Sequence, residues 1–181
     1  MVGALILAGC TTTRDTRLSD AIKVTHISVV DVETTPDVAT GRPMLNGKTP
    51  EEQVAIVVAA LKKVGSRDLK GHPGGPNAAR LILTLQRADL ASEQGRVIFG
   101  SDSSITGSVR LEDMKTGRLI AQNPMIVGHN AGVKGGGSGA IGVGAFVTAM
   151  AINAVMTESQ EALADKLAVS FTKNVKNWLR P

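Results

Sequence analysis

The stretch Val109-Arg-Leu-Glu-Asp-Met-Lys-Thr-Gly-Arg-Leu-Ile120 decides how this chain is read. Just upstream, Ile105, Val109 and Leu111 alternate with Ser104, Thr106, Ser108, Arg110 and Glu112. That period of two marks a strand, about 103–114, whose sheet is apolar on one face and wet on the other. Asp113 to Gly117 reads as a hairpin turn, with Gly117 supplying the positive φ that such turns require. Arg118 to Val127 then makes the returning strand. A sheet wet on one face needs apolar cover on the other, and the rest of the chain must provide it.

Toward the N-terminus, Ala79 to Leu90 reads as a further strand, with Leu81, Leu83 and Leu85 on one face. A Gly/Pro-rich turn, Gly71 to Pro76, precedes it. Thr49-Pro50-Glu51-Glu52 is a helix start: Thr49 caps, Pro50 suits the first helical position and Glu52 closes a capping box. Val54, Val57, Val58, Leu61 and Val64 follow at helical spacing, and Gly65 is expected to end the run. Residues 33–48, with Pro36, Gly41, Pro43 and Gly47, read as a loop. Val24 to Val32 is rich in β-branched residues and reads as the first strand.

Toward the C-terminus, residues 128–144 form a glycine-dominated link, and the chain turns apolar and helical from Val143. A last helix is expected from about Thr157 to Leu179. Its stripe of Leu163, Leu167, Phe171, Val175 and Trp178/Leu179 calls for packing against the sheet. The order β-α-β-β-β-α predicts an α+β fold, with an antiparallel or mixed sheet and helices packed on one face. Residues 1–10 read as a signal segment, 11–22 as a polar tether spanning on the order of 20 Å, and 23–181 as a single α+β domain.

Composition narrows the classes. The chain has 181 residues, enough for one ordinary core, and its 43% apolar content argues against wholesale disorder. Aromatics amount to 2%, with no Tyr, so the core rests on aliphatic residues. The same shortage leaves few stacking platforms for single-stranded nucleic acid. The formal charge of +4 is spread along the chain, and Lys173, Lys176 and Arg180 complement the dipole of the last helix. No nucleic-acid partner is expected.

The single cysteine is Cys10. Leu7-Ala8-Gly9-Cys10 resembles the lipobox of bacterial lipoprotein precursors: an apolar residue, two small ones, then Cys. The thiol is the nucleophile that receives a diacylglycerol, and small residues before it give a peptidase access to the Gly9–Cys10 bond. Cleavage there frees an α-amino group for a further acyl chain, and two or three chains make a stable anchor. Only nine residues, with no Lys or Arg, precede Cys10. A signal peptide needs a charged segment and a longer apolar one, so a start codon upstream, or a trimmed sequence, is expected. Thr11, rather than Asp, after the cysteine favours outer-membrane sorting by the same resemblance.

Other candidate chemistry gains little. Gly137-Ser138-Gly139-Ala140-Ile141-Gly142 satisfies GxGxxG, but the preceding strand ends too early and no βαβ unit follows. Lys134 lacks a Walker frame. Gly135 to Met156 contains 22 residues without a charge, which reads as a flexible loop feeding a buried helix. Alternatively it forms an oligomerising or membrane-inserting segment. His26, His72 and His129 show no metal-ligand spacing. Ser101-Asp102-Ser103-Ser104 lacks a nucleophile elbow and reads as a turn. Asp31, Asp89 and Asp113 sit near strand ends as turn caps.

With the lipobox, the 109–120 hairpin, the glycine link and the Leu163-Ala-Asp-Lys-Leu-Ala168…Trp178-Leu179 helix, the chain resembles small bacterial envelope lipoproteins of unassigned function. The domain is distantly similar to the amino-terminal domain of the translocation protein TolB and to curli-secretion-type lipoproteins. The resemblance implies an envelope location, lipid-anchored on the outer membrane and facing the periplasm, with other envelope proteins as partners. It transfers no functional residue beyond Cys10. The expectation is a non-enzymatic binding or assembly protein without cofactor or metal. Two alternatives stand beside it: a secretion-pore or homo-oligomeric component using the glycine-rich segment, and an envelope hydrolase.

Overall fold

Every inward-facing position of one strand is aliphatic, and the sheet is built around that strand. In the computed structural model, which describes residues 16–41, 47–99, 101–131 and 158–180, this is β2 (Asn77–Asp89). Ala79, Leu81, Leu83 and Leu85 are almost fully buried. β1 (Thr25–Thr40) runs parallel to β2 on one side. On the other side β3 (Ser103–Asp113) runs antiparallel, followed by β4 (Leu119–Asn130). The sheet is therefore four-stranded and mixed, in the order β1-β2-β3-β4.

Two long helices cover its apolar face. α2 (Pro50–Asp68) connects the parallel pair, and α4 (Gln160–Leu179) lies over β3 and β4 and against α2. Val57, Leu61 and Val64 meet Leu163, Leu167, Phe171 and Val175 in one continuous core with the strand residues. Two short helices complete the described residues: α1 (Thr16–Lys23) before β1 and α3 (Glu93–Phe99) between β2 and β3. The expected α+β order stands, with these two helices added.

The differences from the sequence reading have local causes. β1 does not stop at Val32 but continues through residues that read as loop, because β2 offers pairing partners as far as Thr40↔Ala88. Pro36 is accommodated at an irregularity between Thr34 and Ala39 on the sheet's edge, where its missing N–H breaks no ladder bond. Pro124 in β4 is placed likewise, between the pairs Val109↔Asn123 and Gly107↔Ile126. Gly65 does not end α2: it is buried within the helix, and an added Cβ would lie 3.2 Å from Val30 Cγ1 and 3.5 Å from Leu83 Cδ1. The glycine lets α2 approach the sheet closely. Thr16–Lys23, of which 16–22 read as part of a tether, is helical because Leu18 and Ile22, four apart, turn one face into the core.

Two further glycines lie beneath α4, and Gly128 is the one that lets the helix approach the sheet. Gly107 and Gly128 lie on the inner face of β3 and β4, beneath Phe171. A Cβ on Gly128 would sit 2.5 Å from the Leu167 carbonyl oxygen and 3.0 Å from Phe171 Cβ; one on Gly107 would sit 2.6 Å from the Thr84 carbonyl oxygen of β2 and, at 3.4 Å, in ordinary contact with Phe171 Cζ. Among the described residues Phe171 is the one aromatic of the buried core, and the missing side chain of Gly128 makes room for it. α4 also guards the edge of β4: Asn174 Nδ2 donates to the Val127 carbonyl at 2.8 Å, and the His129 N–H donates to Ser170 Oγ at 3.2 Å.

Candidate functional site

Both helices start, and β1 and β2 end, at one end of the domain. Three segments meet there: residues 47–49 before α2, residues 90–92 between β2 and α3, and residues 158–159 before α4. A loop junction inside a core must satisfy its backbone groups, and two buried glutamines do this. Gln53 Nε2 donates to the carbonyls of Lys48 (3.0 Å) and Gly41 (3.4 Å), while Gln53 Oε1 accepts from the Leu90 N–H (3.3 Å). Gln160 Nε2 donates to the carbonyls of Leu90 (3.4 Å) and Ala91 (3.2 Å), and Gln160 Oε1 accepts from the Lys48 N–H (3.3 Å). Thr49 forms the expected capping box with Glu52, and Ser159 caps α4.

Above this hub lies a cleft of about 340 Å³ lined by Lys48, Glu93, Gln94, Gln160 and Glu161. Lys48 Nζ stands 3.0 Å from Glu161 Oε1. The hydrogen bond from Lys48 lowers the pKa of Glu161, and the same bond raises that of Lys48. Beside the cleft, Arg96 donates through Nη2 to the Glu158 carbonyl. Its Nη1 lies 3.8 Å from Glu158 Oε1, while Lys166 Nζ lies 2.8 Å from Glu158 Oε2. The Arg96 side chain is only 11% exposed, its Nε has no partner among the described residues, and burial pushes its pKa down against the pull of Glu158 and Glu93. The arrangement can recognise polar or charged groups; among the described residues that line it, none pairs a nucleophile with a base.

Of the residues singled out from sequence, Ser101, Ser103, Ser104 and His129 lie at this end, but none of them lines the cleft. Gly9 and Cys10, the GxGxxG run at 137–142, Lys134 and the apolar helix expected from Val143 lie outside the described residues. His26 and His72 lie at the opposite end, where His26 Nδ1 donates to the Gly75 carbonyl at 2.8 Å. His129 is on β4, paired in register with Ser104. Among the described residues no three His, Cys, Asp or Glu side chains are grouped to hold a metal. Ser103 Oγ accepts from the Ala91 N–H and Ser101 Oγ donates to the Gly95 carbonyl, so both serve the 90–103 connection. Asp113 caps the β3–β4 turn, accepting from the N–H of Lys115 (2.9 Å) and Thr116 (2.7 Å) and from the Thr116 hydroxyl (2.9 Å). Asp31 is not a cap: with β1 extended it is mid-strand, 3.3 Å from Arg80 Nε on the open face.

Sequence reading passed over Gln53, Gln160 and Arg96. The first two sit on the apolar stripes of their helices, in phase with Val57 and Leu61 and with Leu163 and Leu167. A glutamine in that register was the available signal. Arg96 lies in a seven-residue helix that Ser92 caps but that is too short to show a periodic apolar stripe.

No family model matches the chain, and no curated protein is similar to it. Among solved structures it is similar to a protein of Caulobacter crescentus CB15 described provisionally as a lipoprotein, at 16% identity and TM-score 0.29, over 90% of this chain and 95% of that one. It is also similar to a Xanthomonas campestris protein of the DUF330 family, at 11% identity and TM-score 0.24, over 85% of this chain and 96% of the other. Likenesses this loose transfer no residue and no activity, and they lend no support to the resemblance to TolB or to curli-secretion-type lipoproteins.

Proposed function

We propose that this chain is a membrane-anchored lipoprotein of the bacterial cell envelope, acting as a non-enzymatic binding or assembly module. The observation that carries the proposal is Leu7-Ala8-Gly9-Cys10, a lipobox around the sole cysteine. Thr11 after it favours the outer membrane, with the domain in the periplasm. The geometry suits such a role. α1 lies where β1 and β2 begin, whereas the polar cleft with Lys48, Glu93 and Glu161 lies where they end. β2 alone, at 13 residues and about 3.3 Å per residue, separates the two ends by about 40 Å. A tether at one end therefore leaves the other presented to envelope partners.

Growing cells that express the full reading frame should incorporate radiolabelled fatty acid into the protein, and a Cys10→Ala variant should not. Label retained by that variant would end the anchor reading. Crosslinking in intact envelopes should capture a partner through residues of the cleft, and loss of capture in a Glu93→Lys/Glu161→Lys variant would assign the surface.

A further inference from the structure

We infer that the end of the domain formed by the β3–β4 turn and the α1–β1 junction rests on an anionic membrane surface. This inference builds on the anchor at Cys10 proposed above.

The first observation is reach. Five residues separate Cys10 from α1, and fully extended they span at most about 20 Å. α1 itself is eight residues long, about 12 Å. It feeds β1 at one edge of the sheet and touches β4 at the other, so it crosses the sheet's end, and its start lies on the β4 side. An anchor at Cys10 therefore holds this end, and no other, close to the lipid.

The second observation is charge. Lys23, Lys70, Lys115, Arg118, Lys176 and Arg180 gather here, because the 69–77 turn, the β3–β4 turn and the C-terminus of α4 converge at this end. Asp20 lies 3.3 Å from Lys23 Nζ, Arg67 and Asp68 pair with each other, Glu112 lies 3.6 Å from Arg110 Nε, and Asp113 is turned into its own turn. Cations thus dominate this end. At the cleft end Glu51, Glu52, Glu93, Glu158 and Glu161 outnumber Lys48, Arg96 and Lys166. Lys176 and Arg180 also complement the dipole of α4, but Lys115 and Arg118 sit in a hairpin turn where no helix needs them.

The third observation is apolar exposure at the same end. Val24 is 46% exposed, Met114 41% and Leu119 51%. Met114 and Leu119 flank Lys115 and Arg118. Apolar side chains interleaved with cations match a headgroup layer above acyl chains.

The test uses the full chain held through Cys10 on vesicles of phosphatidylethanolamine and phosphatidylglycerol. The native acyl anchor serves where mass spectrometry finds one; otherwise a maleimide lipid is coupled to the same thiol. Failure of native lipidation is thereby read apart from failure of docking. Lysines are acetylated with a water-soluble reagent, and rates are compared between vesicle-bound and free protein. Lys115 and Lys70 should slow by roughly threefold or more on the vesicles, while Lys62 and Lys166 keep their rates. A Met114→Glu/Leu119→Glu variant should lose that protection. Equal rates at Lys115, bound and free, would overturn the inference, as would equal slowing at Lys166. Protection of Lys115 that grows with concentration in the absence of vesicles would assign the surface to a second copy of the chain instead.

Discussion

Replacing Gln53 with Leu keeps the side-chain volume and removes all three hydrogen bonds of a fully buried amide. The Leu90 N–H is itself in the core and is left without that partner, which costs about 1–3 kcal/mol. The carbonyls of Lys48 and Gly41 belong to half-buried residues and can turn to water, so each adds only about 0.5–1 kcal/mol. The expected loss is about 2–5 kcal/mol, a large share of the 5–15 kcal/mol typical of a domain. Urea unfolding followed by far-ultraviolet circular dichroism should show the midpoint falling by about 1–2.5 M at an unchanged slope of about 2 kcal/mol/M. Gln160→Leu should behave similarly. The double variant should lose less than the two single losses together, since both amides hold Lys48 and Leu90. Gln53→Glu adds a sign test. The introduced carboxyl faces two carbonyls and is buried, so its folded-state pKa lies above its unfolded value of about 4.3. Its penalty is absent below that value and grows as pH rises, which makes the variant less stable than Gln53→Leu at pH 7 and closer to the parent at pH 4. A midpoint unchanged in Gln53→Leu would refute the hub as a stabilising element.

Gly128→Ala places a methyl against the Leu167 carbonyl and should cost about 2–3 kcal/mol by the same urea assay. Gly71→Ala, at φ +83° with open space around it, should cost only about 1 kcal/mol. Thr49→Ala removes the cap and the capping box of α2 and should lower stability by about 1 kcal/mol. Hydrogen bonds from the Thr116 N–H and hydroxyl, and then from Lys115, hold the Asp113 pKa below the ordinary carboxylate value. A depressed folded-state pKa gives stability that is present above the unfolded value and lost as pH falls through the folded one. Asp113→Ala should therefore lower the thermal midpoint at pH 7 and leave it unchanged near pH 2; an equal drop at both would assign the effect to packing.

The hairpin at 109–120 was legible because alternation, turn and glycine agreed, and Gly117 does take φ +69°. The capping box at Thr49 was legible for the same reason: each local choice pointed to one structure. Strand ends were not. β1 runs on past Val32 because β2 continues beside it, and a partner some fifty residues away leaves no trace in local pattern. Gly65 looked like a stop because a glycine that ends a helix and one that lets it approach a sheet read alike. The cleft was illegible for a different reason: Lys48, Glu93 and Glu161 come from three separate segments, and only the fold brings them to one place. Cys10 remains a reading of the sequence alone.

The cover that α4 gives to β4 has a kinetic side. As the chain emerges N-terminus first, α4 follows the whole sheet, so the place over Gly128 waits empty for Phe171. Until then β4 is an open edge, carrying Met125, Ile126 and Val127 together with main-chain groups that Asn174 and Ser170 have yet to meet. Such an edge templates pairing with other nascent copies. The interval before α4 docks is thus the chain's period of greatest exposure to aggregation. A holding chaperone that bound β4 then would be displaced as the helix closes.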